Sequence, residues 1–381
     1  MLKVKASIGS QGNDNISNYL YTDTYEVTNS NDEVGVTFVS KGNENITWET
    51  NTNINAGVDF EFFKRRLNGS VEFFYRKTSD MLFFFTVPTS LGYDGYYANI
   101  GDMRNRGIEF SLDGDIIRTK NVVWSANLNA THYTNKILRL PDERKTVTME
   151  GYQGYASGTY FYGEGLPLYT RKMPKYAGID HETGEPMWYM DVKDKDGVVT
   201  QTTTKDYSKA TDYLAGDPTP KLYGGFGTSL SFYGVDLSVQ FTYQIGGKYY
   251  DSGYAASLNA PGTKIGENIH KDILNAWTPE NKNSDIPRFQ YLDKDFNSTS
   301  DRFLTDASYL NFQNAQIGYT FPEALTRKIK ISKLRLYVAA DNIFYVSARQ
   351  GFDPRYSFTG ETSYTTNSTI RTVSGGINIT F

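Results

Sequence analysis

The sequence of 381 residues contains no cysteine. This absence excludes disulfide scaffolds, thiolate zinc sites and cysteine nucleophiles. Long hydrophobic runs are also missing, because the longest strongly apolar run is Met81–Phe85 and a membrane-spanning helix needs ~18 residues or more. An excess of positive charge is missing too, since 39 Lys and Arg stand against 43 Asp and Glu. No basic stripe can displace counterions, so the sequence does not indicate a nucleic-acid-binding protein.

Aromatic residues and glycine are abundant instead, with 30 Tyr, 23 Phe and 34 Gly. Tyrosine and phenylalanine favour pleated, half-exposed surfaces, which indicates an extended β protein. Residues 1–8 contain no apolar signal-peptide core and already alternate between apolar and charged residues. We therefore expect the chain to open inside a strand. The protein is then either a cytoplasmic β protein or a fragment whose secretion signal lay upstream.

Alternation with a period of two is the strongest pattern in the sequence. In residues 235–245, for example, Val, Leu, Val, Phe, Tyr and Ile alternate with Asp, Ser, Gln, Thr and Gln. Such alternation predicts strands with one apolar and one polar face. Ten stretches follow this pattern or are Gly-rich strands, around residues 2–8, 54–62, 71–76, 108–113, 124–131, 221–232, 235–245, 314–321, 334–340 and 372–381. Most are close to the 9–11 residues of a tilted membrane-spanning strand.

The connections between these strands alternate in length. Short turns are predicted at 64–66, 118–121 and 233–234, with a moderate link at 322–333, and long segments at 10–47, 82–103, 136–220, 248–303 and 347–370. Short turns on one side and long loops on the other are typical of outer-membrane barrels. Hairpin turns at 180–184 and 194–197 would add one or two strands within 155–200. The predicted fold is an all-β, antiparallel up-and-down transmembrane β-barrel segment of about 10–12 strands, with long extracellular loops.

A soluble alternative remains open at this point. The apolar faces could instead form the core of a β-sandwich, and the protein would then be a surface-exposed binding or adhesion module without transport activity. The barrel interpretation places the polar faces in a wet lumen and the aromatic residues near the strand ends in interfacial girdles.

Several stretches resemble one family. The terminal residues Ser374–Phe381 resemble the β-signal of outer-membrane proteins, with Gly376, Ile379 and Phe381 at its characteristic positions. The chain as a whole is similar to the C-terminal half of SusC/RagA-type TonB-dependent transporters from Bacteroidota. The stretches that carry this resemblance run in family order along the chain: Leu2–Asn15, Thr47–Asp80, Asn99–Leu112, Gly216–Gly227, Trp277–Arg288, Asp301–Phe321 and Leu334–Pro354.

The resemblance implies an outer-membrane importer of oligosaccharides or peptides. Residues 1–381 would be the C-terminal part of a multi-pass barrel of about 22 strands, and the signal peptide, TonB box and plug domain are not in the sequence. The implied partners are a SusD-like lipoprotein lid, the TonB–ExbB–ExbD machinery acting through the plug region, the barrel assembly machinery and the lipid bilayer. With strands missing, the chain would form an open curved sheet, part of a larger assembly that supplies the missing strands, or a smaller barrel closed by pairing Leu2–Ile8 with Thr372–Phe381. We favour the first two, because the native curvature suits roughly twice as many strands.

Residues suited to catalysis or metal binding are few. His132, His181 and His270 lack metal-ligand spacing, and Asp191–Gly197 departs from a calcium loop, so a solvated Asp-Gly turn is the alternative explanation there. We therefore predict no metal, no cofactor and no enzyme activity.

Aromatic residues in the long segments are the better binding candidates. Tyrosine and tryptophan combine an apolar ring with a hydrogen-bonding tip, which suits a sugar face or a protein partner. The candidates for contact with substrate or lid are Tyr96, Tyr97, Tyr155, Tyr160, Tyr162, Trp188 and Tyr249. The alternative is that these rings pack the loops together. Helical spacing of apolar residues in Ile265–Trp277 also predicts a short loop helix.

Overall fold

A ten-stranded antiparallel sheet dominates the computed structural model, which describes residues 1–30, 33–260, 266, 268–362 and 369–381. Neighbours in the sheet follow chain order throughout. The strands are β1 (Leu2–Asn13), β2 (Glu49–Phe62), β3 (Leu67–Ser79), β4 (Asp102–Arg118), β5 (Val122–Arg139), β6 (Leu222–Phe232), β7 (Val235–Ile245), β8 (Tyr309–Thr320), β9 (Lys333–Ser347) and β10 (Thr372–Thr380). The ten strands predicted from alternation are thereby confirmed.

The sheet is open within the described part of the chain. Strand β1 pairs there only with β2, and β10 pairs only with β9, so no ladder joins the two outer strands. The connections alternate as predicted, with short ones at 63–66, 119–121, 233–234 and 321–332 and long ones at 14–48, 80–101, 140–221, 246–308 and 348–371.

The two faces of the sheet differ in chemistry. Leu237, Ile317 and Val338 lie side by side on neighbouring strands, and 37%, 54% and 51% of their surfaces are exposed. A sandwich would bury this row between two sheets, so the β-sandwich alternative is wrong. The opposite face carries polar residues that bond across strands, as Ser70 Oγ does to Ser111 Oγ at 2.7 Å and Asn314 Nδ2 to Asp341 Oδ1 at 2.6 Å.

Buried hydrophobic side chains are concentrated in the long loops. One cluster joins Met81, Phe85 and Ile100 to Tyr155 and Tyr162, and it reaches the large sheet at Ile137 near the end of β5 and at Met103 near the start of β4. A second cluster surrounds Leu258, Phe296 and Phe303. The loops therefore have a packed core of their own, and they contact the polar face of the sheet at its long-loop end, where Leu168 N donates to Asn135 Oδ1 at 2.7 Å.

The loops contain small sheets of their own. A five-stranded sheet is built from Val147–Met149, Tyr152–Ser157, Tyr160–Gly163, Arg171–Pro174 and Asp212–Gly216, and a three-stranded sheet from Tyr176–Ile179, Pro186–Lys193 and Val199–Thr204. Two-stranded sheets pair Thr24–Ser30 with Glu33–Ser40, Leu82–Thr86 with Gly95–Asn99, and Lys248–Tyr250 with Leu304–Asp306. The hairpins predicted within 155–200 are present, but they do not join the large sheet. Their turn chemistry is local and says nothing about which sheet they enter.

Helices are short. The α-helices are Ser252–Ser257 and Glu323–Thr326, and 3-10 turns occur at Thr89–Leu91, Asp142–Arg144, Tyr207–Lys209, Lys271–Asn275, Asp301–Phe303, Arg327–Ile329 and Pro354–Tyr356. None of the helices in the described residues is long and apolar enough to cross a membrane. The loop helix predicted over Ile265–Trp277 is reduced to the single turn Lys271–Asn275, and Ile265 itself lies outside the described residues.

Candidate substrate-facing site

A cavity of about 420 Å³ opens where the polar face of the sheet meets the long loops. Strands β4 to β7 supply one wall, because their polar-face residues come into register at this end of the sheet. Loop residues supply the other wall. The cavity is lined by Met103, Asn105, Tyr133, Asn135, Leu168, Tyr169, Pro218, Thr219, Pro220, Tyr223, Gln244, Tyr249, Ser357 and Phe358.

Aromatic rings form much of the lining and support one another. Tyr133 and Tyr223 meet edge to face, with ring centroids 6.1 Å apart, and Tyr169 meets Phe358 in the same way at 5.9 Å. The Tyr249 hydroxyl donates to Ser357 O at 2.6 Å, and burial raises the pKa of Tyr249 to about 12. The phenol of Tyr249 is therefore neutral at physiological pH and acts as a hydrogen-bond donor.

Amide side chains provide the polar part of the lining. Asn135 Nδ2 donates to Asn105 Oδ1 at 2.8 Å, while Gln244 Nε2 donates to Ala307 O at 3.2 Å. These bonds fix the amide groups in place. Rings that stack and amides that donate or accept suit an uncharged polar ligand such as a sugar ring or a peptide backbone.

A buried arginine joins two of the loops beside this cavity. Arg171 is only 1% exposed, and its Nη2 donates to Gly360 O at 3.0 Å, to Tyr160 Oη at 3.0 Å and to Glu361 Oε2 at 3.2 Å. Tyr160 in turn donates to Thr359 O at 2.9 Å. The contacts connect residues almost 200 positions apart, and they hold the segment that carries Phe358 against the loop that carries Tyr169.

Most of the predicted aromatic candidates lie inside the loop core. Tyr155 and Tyr162 stack with ring centroids 4.9 Å apart, and burial raises the pKa of both, that of Tyr162 to about 12. The Tyr96 hydroxyl accepts from Arg144 Nη2 at 2.6 Å, and Tyr97 packs on Phe84 at 5.2 Å.

The remaining candidates are more widely distributed. Trp188 is 1% exposed and packs against Tyr207 in the region of the three-stranded sheet. Tyr160 belongs to the Arg171 junction. Of the seven residues predicted to contact substrate or lid, Tyr249 is the one that lines the cavity.

Sequence reasoning missed much of the cavity. Tyr133 and Tyr223 lie on strands, at positions whose neighbours two residues away are polar or glycine, such as Asn135 and Gly225. An aromatic residue in the polar half of an alternating strand is the signal that could have identified both. Phe358 carries no comparable signal, because its position depends on contacts made across the loops.

The predicted assembly residues lie on the last strand. Gly376 lies beneath the ring of Tyr337, and a Cβ atom added to Gly376 would come within 2.5 Å of the Tyr337 hydroxyl. Ile379 is 47% exposed on the apolar face, and Phe381 is 89% exposed.

Acidic residues do not converge on a metal site in the described part of the chain. The segment that resembles a calcium loop forms the predicted hairpin turn instead. Asp194 Oδ1 accepts from the backbone N–H groups of Asp196 and Val198, and Asp191 accepts from the hydroxyl of Tyr213.

Comparison with known proteins decides the family. Residues 3–343 match the family described as TonB dependent receptor-like, beta-barrel. The chain belongs to this TonB-dependent receptor family. Its members are outer-membrane β-barrels of the transporter type rather than enzymes.

Individual family members extend the comparison. The chain is 28% identical to TonB-dependent receptor P3 of Formosa agariphila, over 100% of this chain and 39% of that protein. It is 26% identical to TonB-dependent receptor SusC of Bacteroides thetaiotaomicron, over 93% of this chain and 35% of SusC. The structure of the RagAB peptide transporter superposes with a TM-score of 0.83 at 29% identity, covering 100% of this chain and 41% of that one. The chain thus spans about two-fifths of the length of these TonB-dependent receptors.

Proposed function

We propose that the chain forms the C-terminal wall of an outer-membrane TonB-dependent importer of oligosaccharides or peptides. Family membership and the exposed apolar face support a barrel in the outer membrane. The observation that carries the import proposal is the aromatic and amide-lined cavity on the polar face, since a lumen-facing cavity at the long-loop end is where an entering ligand would first be held.

The ligand classes follow from the lining and from the relatives. RagAB is described as a peptide transporter, and its structure superposes over this whole chain. The described residues that line the cavity include no charged side chain, so its recognition would rest on stacking and amide hydrogen bonds. Both an oligosaccharide and a peptide backbone meet that requirement.

The open edges of the sheet bear on how the chain functions. Unpaired N–H and C=O groups along β1 and β10 are not tolerated in hydrocarbon, so further strands must cover both edges in the membrane. We propose that a complete barrel supplies these strands, that a plug region within it couples to TonB–ExbB–ExbD, and that the barrel assembly machinery inserts it. A SusD-like lipoprotein would close over the long loops, and the loop aromatics Tyr96, Tyr97 and Tyr160, which keep some exposed surface, would contribute to that contact.

Uptake by cells that carry the complete barrel tests the proposal. Replacing Tyr133 and Tyr223 by Ala should reduce uptake of labelled peptide or oligosaccharide pools by roughly tenfold or more, because two stacking surfaces are lost. Tyr291→Ala is the matched control, since Tyr291 is 68% exposed in a loop and does not line the cavity. Whichever pool loses uptake identifies the ligand class. Unchanged uptake of both pools at equal outer-membrane levels would contradict the role of the cavity.

A further inference from the structure

Three basic residues stand in one row across the membrane-facing side of the sheet. Lys77 on β3 is directly opposite Arg104 on β4, and Arg104 is directly opposite Lys136 on β5. Counted two by two along their strands, these positions fall on the apolar face. Phe73 and Ile108 lie on that face and are 44% and 50% exposed. The basic row lies towards the long-loop end of the strands, and Arg106 lies one step closer to the apolar belt on β4.

The row contains more positive than negative charge. Lys77 Nζ lies 3.1 Å from Asp102 Oδ2, and Arg139 Nη2 lies 3.3 Å from Asp102 Oδ1 and 3.5 Å from Asp80 Oδ1. Within the described residues, Arg104, Arg106 and Lys136 have no carboxylate within ion-pair distance. The Nε atom of Arg104 is shielded from solvent and has no hydrogen-bond partner. Three carboxylates, those of Asp80, Asp102 and Glu164, therefore face these five cations.

The mutual repulsion of these cations is electrostatically unfavourable unless an anion compensates it. Like charges directly opposite on neighbouring strands repel each other, and their side chains lie about 5 Å apart at the Cβ atoms. The repulsion is relieved when an anion lies between them. Phosphate is suited to this role, because arginine donates to phosphate oxygens through a planar fork and lysine binds as a compact charge.

The surroundings select a lipid over a free anion. Exposed apolar side chains lie further along the same face: Phe73 on β3 and Ile108 on β4, four residues from Lys77 and Arg104 along their strands, and Ile54 on the neighbouring strand β2. A ligand with a phosphate-bearing head and acyl chains would contact both the cations and the apolar surface at once. Long cationic side chains at a membrane boundary also reach the headgroup layer naturally.

We propose that Lys77, Arg104, Arg106 and Lys136 form a binding site for the phosphate groups of an anionic lipid in the leaflet on the long-loop side. The site lies on the outer wall of the sheet, on the face opposite the luminal cavity. It depends on the proposed function only in that both require the chain to span the outer membrane, and neither requires the other to be correct about its ligand.

Lipid binding by the purified complete barrel in detergent tests the site. The probe is fluorescently labelled diphosphoryl lipid A, titrated against the wild type and against the triple variant Lys77→Gln, Arg104→Gln, Lys136→Gln. We expect the dissociation constant to rise roughly 30-fold or more in the variant, since each cation near an anionic headgroup contributes to binding. Substrate uptake should be unchanged, because the luminal cavity is untouched.

A control with the same charge change is available at the short-turn end. Lys64, Lys120 and Lys328 are exposed there, and their replacement by Gln should leave lipid binding within about twofold of the wild type if charge position matters. If the triple variant does not fold, the single variant Arg104→Gln and a salt titration of the wild type replace it, and both should weaken binding. Equal binding by wild type and the basic-row variants would overturn the proposal. Full displacement of lipid by equimolar inorganic phosphate would also overturn it, because the site would then bind a free anion.

Discussion

Arg335 reaches across an intervening strand to hold both carboxylate oxygens of Asp236. Its Nε donates to Oδ1 at 2.9 Å and its Nη2 to Oδ2 at 2.5 Å, from β9 to β7. The strand between them, β8, carries Gly318 at the crossing point, where a Cβ atom would lie 2.5 Å from Arg335 Nη2. The glycine therefore provides the space that lets a luminal ion pair tie three strands together.

A double-mutant cycle checks this arrangement. Asp236→Asn should lower the free energy of unfolding of the complete barrel by about 1 kcal/mol, because the pair is partly solvated on the luminal face. Gly318→Val should lower it as well, by displacing Arg335. Since both changes disrupt the same ion pair, the double variant should lose less free energy of unfolding than the two single variants lose together. Strict additivity in denaturant unfolding would show that Gly318 does not act through the ion pair.

A charged side chain on the apolar face should lower the free energy of unfolding, whereas the same charge on the polar face should not. Val239→Lys on β7 should lower the free energy of unfolding by about 2–4 kcal/mol if Val239 lies near the bilayer midplane. Gln240→Lys on the same strand is the control, because Gln240 lies on the opposite, polar face. Unfolding in lipid bilayers measures both, and equal costs would mean that the two faces do not divide lipid from lumen.

The ring of Tyr337 over Gly376 makes the last strand sensitive to side-chain size. Gly376→Val should destabilise the barrel by about 1–3 kcal/mol, because the new Cβ would overlap the tyrosine ring. Gly375→Val is the neighbouring control, since its Cβ would meet the nearest atom at an ordinary 3.7 Å. Heat-modifiability on gels compares the two variants, and similar melting of both would contradict the proposed clash.

The terminal phenylalanine should matter more for insertion than for packing. Phe381 is 89% exposed and so contributes little to the described structure, yet it ends the β-signal-like strand. Phe381→Ser should reduce the amount of complete barrel in the outer membrane severalfold. Leu274→Ser, at an 86% exposed loop position, should leave that amount unchanged. Quantitative immunoblotting of membrane fractions checks this, and equal levels for Phe381→Ser and wild type would rule out an assembly role.

The stability of one loop hairpin should depend on pH. Lys205 bonds to Asp180 and lies 2.7 Å from Glu185 Oε2, and this ammonium holds the pKa of Asp180 and of Glu185 below their usual values. A carboxylate whose pKa is lowered on folding stabilises the fold above its unfolded pKa, and this contribution disappears as the pH falls towards the folded value.

Hydrogen exchange at the amides of Glu182 and Gly184 measures this effect. Both amides donate to Asp180, the first to its side chain and the second to its backbone carbonyl. Asp180→Asn should accelerate exchange at neutral pH, and the difference from wild type should shrink at about pH 3, after correction for intrinsic rates. Asp194→Asn, in the next hairpin, is the control, because no lysine ammonium pairs with Asp194 in the described residues. A pH-independent difference would contradict the electrostatic explanation.

The sequence by itself determined the ten strands, their two faces and the alternation of short and long connections. Alternation is a local property, since side chains of a strand point to opposite faces with a period of two whatever the strand pairs with. The family resemblance rested on stretches of sequence in order along the chain. Both could be predicted without any knowledge of contacts.

Only the tertiary structure decided which residues that are distant in sequence lie next to each other. The row Lys77, Arg104 and Lys136 exists because two strand registers bring together residues far apart in sequence. Arg171 meets Glu361 across 190 positions, and this contact helps to place Phe358 beside the luminal cavity. Tyr155 and Trp188 are buried because the loops form a core of their own. Register and loop packing depend on contacts between distant residues, and no local pattern of alternation or composition carries that information.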